Sequence, residues 1–369
     1  RAINAKLIEV DGDVFLDKIN DDENGFFAQG EVKLSGAKIV GQLRCEGAEF
    51  NKPIEKLSNK YNDPFAAFLA KGLNVKGPFF LNNIKVDGDI DLTDAAIDGR
   101  FELTNIKGAM KCSYFNIILK SAHVREFKDS IDGWPQSGYF DINHFKYDVL
   151  NEEQLERQLE KKFGKTNKIK KRNIKCRIEN GFFPKGKNFS HQPYLQMAKV
   201  LEEGGHDSEA VWLQMKMNDI KIPNVNFLYK LKLCFLKGLI GYGYKPFTVL
   251  YWALGICLIG ILLFSYGYKK NEIQPPSKFA WENNDSSFDN LYAYYPKFDP
   301  VFYSLDIFLP IVDLGQQAYW KPISKDVINS KWFRFSCSWL LGYVYFEIVA
   351  GWVLTSMLII GISGWVKQK

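Results

Sequence analysis

Apolar residues in the first part of the chain recur in a fixed phase with glycine. Gly30, Val32, Leu34, Ala37 and Ile39 are matched eleven positions later by Gly41, Leu43, Cys45, Ala48 and Phe50. A second block opens with Gly77, Phe79, Leu81, Ile84 and Val86. It repeats at Gly88, Ile90, Leu92, Ala95 and Ile97, and again at Gly99, Phe101, Leu103 and Ile106. Gly12, Val14, Leu16 and Ile19 read as an earlier unit. Within a unit the apolar positions alternate, then shift phase once, which predicts a short strand, a corner and another short strand. One unit cannot cover its own apolar face, whereas stacked units share a continuous column. The expectation over 1–145 is a right-handed β-solenoid of 11-residue units, two of them (about 22 residues) to each coil. A meander of hairpins is the alternative. Residues 52–72, with Pro53 and Pro64, read as an insertion or short helix between the blocks.

The period changes at 146–225, expected to hold a linker and a helical hairpin. Residues 152–159 are helical in pattern and lead into Lys161, Lys162, Lys165, Lys168, Lys170, Lys171, Arg172, Lys175 and Arg177, nine cations within seventeen residues and no acid among them. Such a tract is either a solvated linker or a site for an anionic ligand, nucleic acid and lipid headgroups being the two chemistries it suits. From Gln192 to Met217 the pattern is two helices, with Pro193 in the first turn, Gly204-Gly205 between them and Asp207 placed to cap the second. His206 in that turn reads as structural.

The last third belongs to another solvent. Residues 247–268 carry no charge and are long enough to cross a bilayer, and 338–366 form a second apolar window interrupted by Glu347 alone. Aromatic residues flank the first span as in interfacial belts. Ahead of it, 226–241 mixes apolar residues with lysines as in a helix lying along the membrane surface. Lysines precede the first span and follow the second, while the intervening loop also carries acids, so positive-inside counting puts both termini in the cytoplasm of a bacterial inner membrane. Between the spans, 300–317 is apolar but too short to cross. It can enter as a half-helix, break at Pro310 and return through Asp313 and Gln317. Helix, re-entrant segment, helix is the layout of a two-span channel subunit, which encloses a path only as a homo-oligomer. Asp306, Asp313, Gln316, Gln317 and Glu347 are its candidate lining residues, acidic rings selecting cations. The alternative is an amphipathic helix on the outer leaflet.

Composition changes this picture little. A net charge of +6 on 369 residues is small; its placement matters more. The six cysteines, Cys45, Cys112, Cys176, Cys234, Cys257 and Cys337, include no CxxC and read as reduced thiols without a disulfide framework or metal. Phosphate-binding, nucleophile-elbow and metal-spaced His/Cys motifs are missing, so no cofactor and no enzymatic activity are expected. Gly241-Tyr242-Gly243-Tyr244 precedes the first span and reads as a turn, not an ion filter. Arg1 falls inside a repeat, so a preceding segment is expected.

Gly30 to Phe50, the hairpin from Gln192 to Lys216 with Gly205-His206-Asp207, Gly241 to Pro246 and Tyr303 to Gly315 together resemble a family of bacterial membrane proteins that join such repeats to a helical hairpin and two spans. Its members are often labelled membrane-associated oxidoreductases, but no residue pattern here supports a redox site. The architecture also resembles the channel effectors of the Hailong antiphage systems. That resemblance implies a tetrameric channel controlled by single-stranded oligodeoxyadenylates, which a nucleotidyltransferase partner makes, and it makes the 161–177 tract a candidate oligonucleotide sensor. The competing expectation is a membrane-anchored solenoid that displays a surface to a protein partner.

Overall fold

The computed structural model describes residues 3–17, 25–51, 66–108, 115–135, 138–164, 169–185, 189–275, 296–322 and 339–367. They form two compact units, Arg1–Val225 and Asn226–Lys369.

The first unit is a parallel β-solenoid of about five turns. One wall stacks six strands: Ile3–Asn4, Val32–Lys33, Ala66–Leu69, Asp89–Asp91, Ile117–Ile118 and Phe140–Asp141. A second and third wall merge in the later coils into the long strands Ala96–Thr104, His123–Asp129 and Lys146–Asn151. A fourth stacks Phe27–Gln29, Glu49–Asn51, Lys85–Asp87 and Lys107–Gly108. Phe79 pairs with Phe101 and Asn83 bonds Asn105, a spacing of 22 residues. This is the coil length that two eleven-residue units require. Inside, Phe50, Phe68, Phe79, Phe101 and Phe127 are fully buried and stack with ring centroids 5.2–6.1 Å apart. Each such side chain contributes roughly 1.5–3 kcal/mol by leaving water.

The recurring glycines have a steric cause. A Cβ on Gly77 would lie 2.5 Å from the carbonyl oxygen of Gly41 one coil below, and Gly41 and Gly99 meet the preceding coil in the same way. At this corner the backbones approach too closely for any side chain. Residues 66–72 belong to the regular coil as strand and corner, which corrects the reading of 52–72 as one insertion. Residues 52–65, with Pro53 and Pro64, lie outside the described residues. The stack also runs past residue 145: Lys146–Asn151 pairs with His123–Asp129.

Five helices complete or follow the coils: α1 (Glu153–Phe163), α2 (Ile169–Glu179), α3 (Gln192–Glu203), α4 (Asp207–Lys221) and, opening the second unit, α5 (Phe227–Ile240). A last coil exposes unpaired backbone groups unless something covers them. Here α3 does so: Gln192 accepts from the His144 N–H (2.7 Å) and donates to the Phe145 carbonyl (3.2 Å), and Gln196 donates to the Tyr147 carbonyl (2.7 Å). The cap residue of α4 is His206 rather than Asp207, which is the helix's first residue.

The second unit adds α6 (Thr248–Lys269), α7 (Pro300–Phe308), α8 (Gln316–Tyr319) and α9 (Trp339–Lys367). Helices α6 and α9 are long and apolar enough to cross a membrane. They show many of their large apolar side chains outward, among them Leu254, Leu258 and Leu262 on α6 and Tyr345, Val349 and Ile360 on α9.

Candidate functional sites in the two units

The 161–177 tract becomes two things once folded. Arg177 turns inward and is fully buried, with its guanidinium forked onto Asp129 at 2.7 and 2.9 Å and reaching Glu152 at 3.4 Å. Trp134 donates to the same Asp129 carboxylate at 3.0 Å. Burial pushes the Asp129 carboxyl up and Arg177 opposes that shift. Lys170 bridges Glu152 (2.9 Å) and Glu156 (3.2 Å). Burial works against its cation, yet the two carboxylates hold its pKa above the ordinary lysine value. The expectation that Arg177 and Lys170 offer their charge to an anionic ligand is therefore corrected: Arg177 is committed to Asp129 and Glu152, and Lys170 to Glu152 and Glu156. Lys161 is exposed and apart from the site described next. Lys165 and Lys168 lie outside the described residues.

The remaining cations converge. Lys162, Lys171, Arg172 and Lys175 line a groove of about 610 Å³ together with Phe163 and Trp212. Lys162 and Arg172 lie 5.3 Å from the Phe163 ring centre, and Lys171 lies 5.2 Å from that of Trp212. Lys175 pairs with Glu179 at 3.6 Å across an exposed helix turn, a weak tie. Four cations and two aromatic faces in one open groove suit a ligand with phosphates and planar bases. Trp212 is the component that reading the tract by itself omits, because it comes from α4, far along the chain. Burial pushes the Cys176 thiol at the groove's edge up, as it does that of Cys45 in the coil, which leaves both as poor nucleophiles.

In the second unit, α7 is a half-helix wedged between α6 and α9. Asp299 caps its start, accepting from the Val301 and Phe302 amides, and Pro300 occupies the first turn. Its entry sits among Tyr268, Phe298 and Trp320, whose rings lie 4.6–5.6 Å apart at one end of α6. Farther in, the Ser304 hydroxyl donates toward the Cys257 carbonyl at 3.2 Å and lies 2.5 Å from the Glu347 carboxyl. At the end of α7, the Phe308 carbonyl meets Gly351, near the middle of α9, where a side chain could not be accommodated. The chain then turns through 309–315 and returns to where it entered: Trp320 packs on Tyr268, and Lys321–Pro322 pairs with Ile273–Gln274.

Asp306 holds that return in place. It is nearly buried, and its carboxylate accepts from the Leu314 (2.6 Å) and Gln317 (2.8 Å) amides, while the Gln317 side chain donates to the Asp306 carbonyl at 2.6 Å. Asp313 accepts from the Gly315 amide at 2.7 Å and is exposed, beside Ile311 and Val312. Gln316 is half-buried at the start of α8. Glu347 is fully buried, and a Cβ on Gly260 would lie 2.7 Å from its carboxylate; among the described residues no cation pairs with it. The structure thus gathers Asp306, Asp313 and Gln317 around one cavity of about 490 Å³ that also contains Pro310 and Trp352, and sets Glu347 against α7.

A β-solenoid and two candidate spanning helices on one chain fit a membrane-anchored solenoid. Against known proteins, no family model, no curated protein and no solved structure matches this chain.

Proposed function

We propose that the chain is one subunit of a homo-oligomeric, cation-conducting channel of a bacterial inner membrane, with both termini cytoplasmic, and that its solenoid unit senses an anionic ligand. One observation carries the reading. The segment 309–315 has irregular backbone, begins where Phe308 meets Gly351 near the middle of α9, and leaves Ile311, Val312 and Asp313 exposed. Lipid cannot satisfy such backbone groups, so this segment has to face either water or other copies of the chain. Both are met where several copies surround a path.

In that arrangement the turn that follows α7 borders the path. Asp313 offers charge toward the path. Asp306 acts differently, fixing the loop by holding two of its amides. Glu347 and Ser304 lock α7 between the spans.

The groove formed by Lys162, Lys171, Arg172 and Lys175 with Phe163 and Trp212 is matched to a single-stranded oligonucleotide, whose phosphates the cations would neutralise and whose bases the rings would stack. The resemblance to antiphage channel effectors supports that choice of ligand and a nucleotidyltransferase as its source. Recording from purified protein in a planar bilayer, with and without short single-stranded DNA, tests the whole reading. Currents that the oligomer changes, and that Gly351→Leu removes by displacing α7, are expected. A protein that assembles in the bilayer and never conducts would instead favour the anchored solenoid that displays a surface to a partner.

A further inference from the structure

Helix α5 carries an unpartnered apolar stripe. Phe227, Leu228, Leu231 and Phe235 are exposed by 77, 79, 59 and 53 %, a set that soluble surfaces rarely leave together. At helical spacing they fall within a sector of about 100°. Lys230 and Lys237 lie along one flank of that sector and Lys232 along the other, and the helix contains no acidic residue. Leu233 on the far side is buried.

The helix is also fastened to the first span. The Thr248 hydroxyl lies 2.5 Å from the Leu239 carbonyl, and the Trp252 indole donates to the Gly238 carbonyl at 3.1 Å. Gly241, in the left-handed region at φ 52°, ends α5 and lets the chain turn sharply into α6.

We infer that α5 is an interfacial helix that binds the anionic headgroup layer of the bilayer, its apolar stripe sunk among the acyl chains and its lysines extended to lipid phosphates. An apolar sector flanked on both sides by long cationic side chains is the pattern of a helix lying in the membrane surface, because the lysine stems lie along the apolar boundary while the ammonium groups reach the headgroups. A protein partner would be expected to answer Lys230 and Lys232, on opposite flanks, with acids in fixed places. A bilayer bearing acidic lipids answers them at any position along the helix. The inference rests on α6 and α9 spanning the same bilayer.

The test keeps these two claims apart. The full chain is reconstituted in nanodiscs of phosphatidylcholine containing a minority of phosphatidylglycerol. A benzophenone side chain replaces either Phe235 on α5 or Leu258 on α6, and lipid adducts are identified by mass spectrometry after illumination. The expected result is adducts from both positions, with phosphatidylglycerol enriched several-fold over its bulk share at Phe235 only. That enrichment should fall to the bulk ratio when Lys230, Lys232 and Lys237 are changed to Gln. Adducts at Leu258 without any at Phe235 would overturn the inference and leave the spans intact. Adducts at Phe235 in the bulk ratio, unmoved by the lysine changes, would overturn the headgroup claim. No adducts at either position would overturn both.

Discussion

The two units bury opposite things. In the coil unit the interior is a column of Phe, Leu, Ile and Val, and the fully buried Arg177 is paired with the fully buried Asp129. In the helical unit many large apolar side chains face outward from α6 and α9, while a serine, an aspartate and a glutamate are buried around α7. Each arrangement is reasonable for its own solvent. Water drives apolar surface inward along the coils. Lipid would offer no such drive to helices that cross it, and close packing at Gly260 and Gly351, together with buried polar interactions, is what would hold them together there. The comparison also separates two ways of burying an ionisable group: a forked ion pair with several partners in one unit, and a carboxyl against a hydroxyl in the other.

The sharpest way to break the comparison is Arg177→Met. It leaves Asp129 buried without its cation, and a loss of about 3–5 kcal/mol is expected, read by denaturant titration of the coil's circular dichroism. The double variant with Asp129→Leu should recover much of it. Gly77→Ala ranks next. It presses a methyl group onto the Gly41 backbone and should cost about 1–3 kcal/mol by the same measurement. Trp212→Ala should weaken oligonucleotide binding by about 1–3 kcal/mol for a stacked base, with the salt dependence of binding kept. Changing Lys162, Lys171, Arg172 and Lys175 to Gln should instead flatten that dependence, by about 0.7 in log–log slope for each phosphate no longer neutralised.

Smaller effects follow. Because the folded pKa of Lys170 is raised, its contribution is complete below the unfolded lysine value of about 10.4 and is lost as pH rises through the folded one. Lys170→Met should thus remove no more than about 1 kcal/mol at neutral pH, and the variant should lose less than the parent on titration to alkaline pH. The smallest change is expected for Glu347→Gln. The amide keeps the shape and a hydrogen bond to Ser304, so the stability of the assembled protein should move by under about 1 kcal/mol. A loss as large as that of Arg177→Met would show that the two buried groups are alike after all.

Much of this was legible from residue spacing. The glycine-led units gave the coil length because the same atoms meet at every turn, and the two apolar windows gave α6 and α9 because bilayer thickness sets helix length. The half-helix α7 was legible from an apolar run that ends at Pro310 and is too short to cross. What a linear reading of the basic tract could not show is which charges turn inward. Asn173 and Arg177 share one face of α2 and both are buried, but the partner that fixes Arg177, Asp129, lies in the coil, 48 residues away. Trp212 reaches the groove by tertiary packing of α4, for which local sequence has no signal. Asp306 and Asp313 look equivalent in sequence; only the fold shows that one holds amides while the other is exposed.

The account stands on the segment 309–315 facing water in an assembly. Val312→Cys, placed in a background whose current ignores thiol reagents, tests this most directly. A charged methanethiosulfonate reagent added during bilayer recording should change the single-channel current at once if residue 312 lines the path. A conducting channel whose current ignores the reagent at this position and at Asp313→Cys would contradict the account and send the path elsewhere.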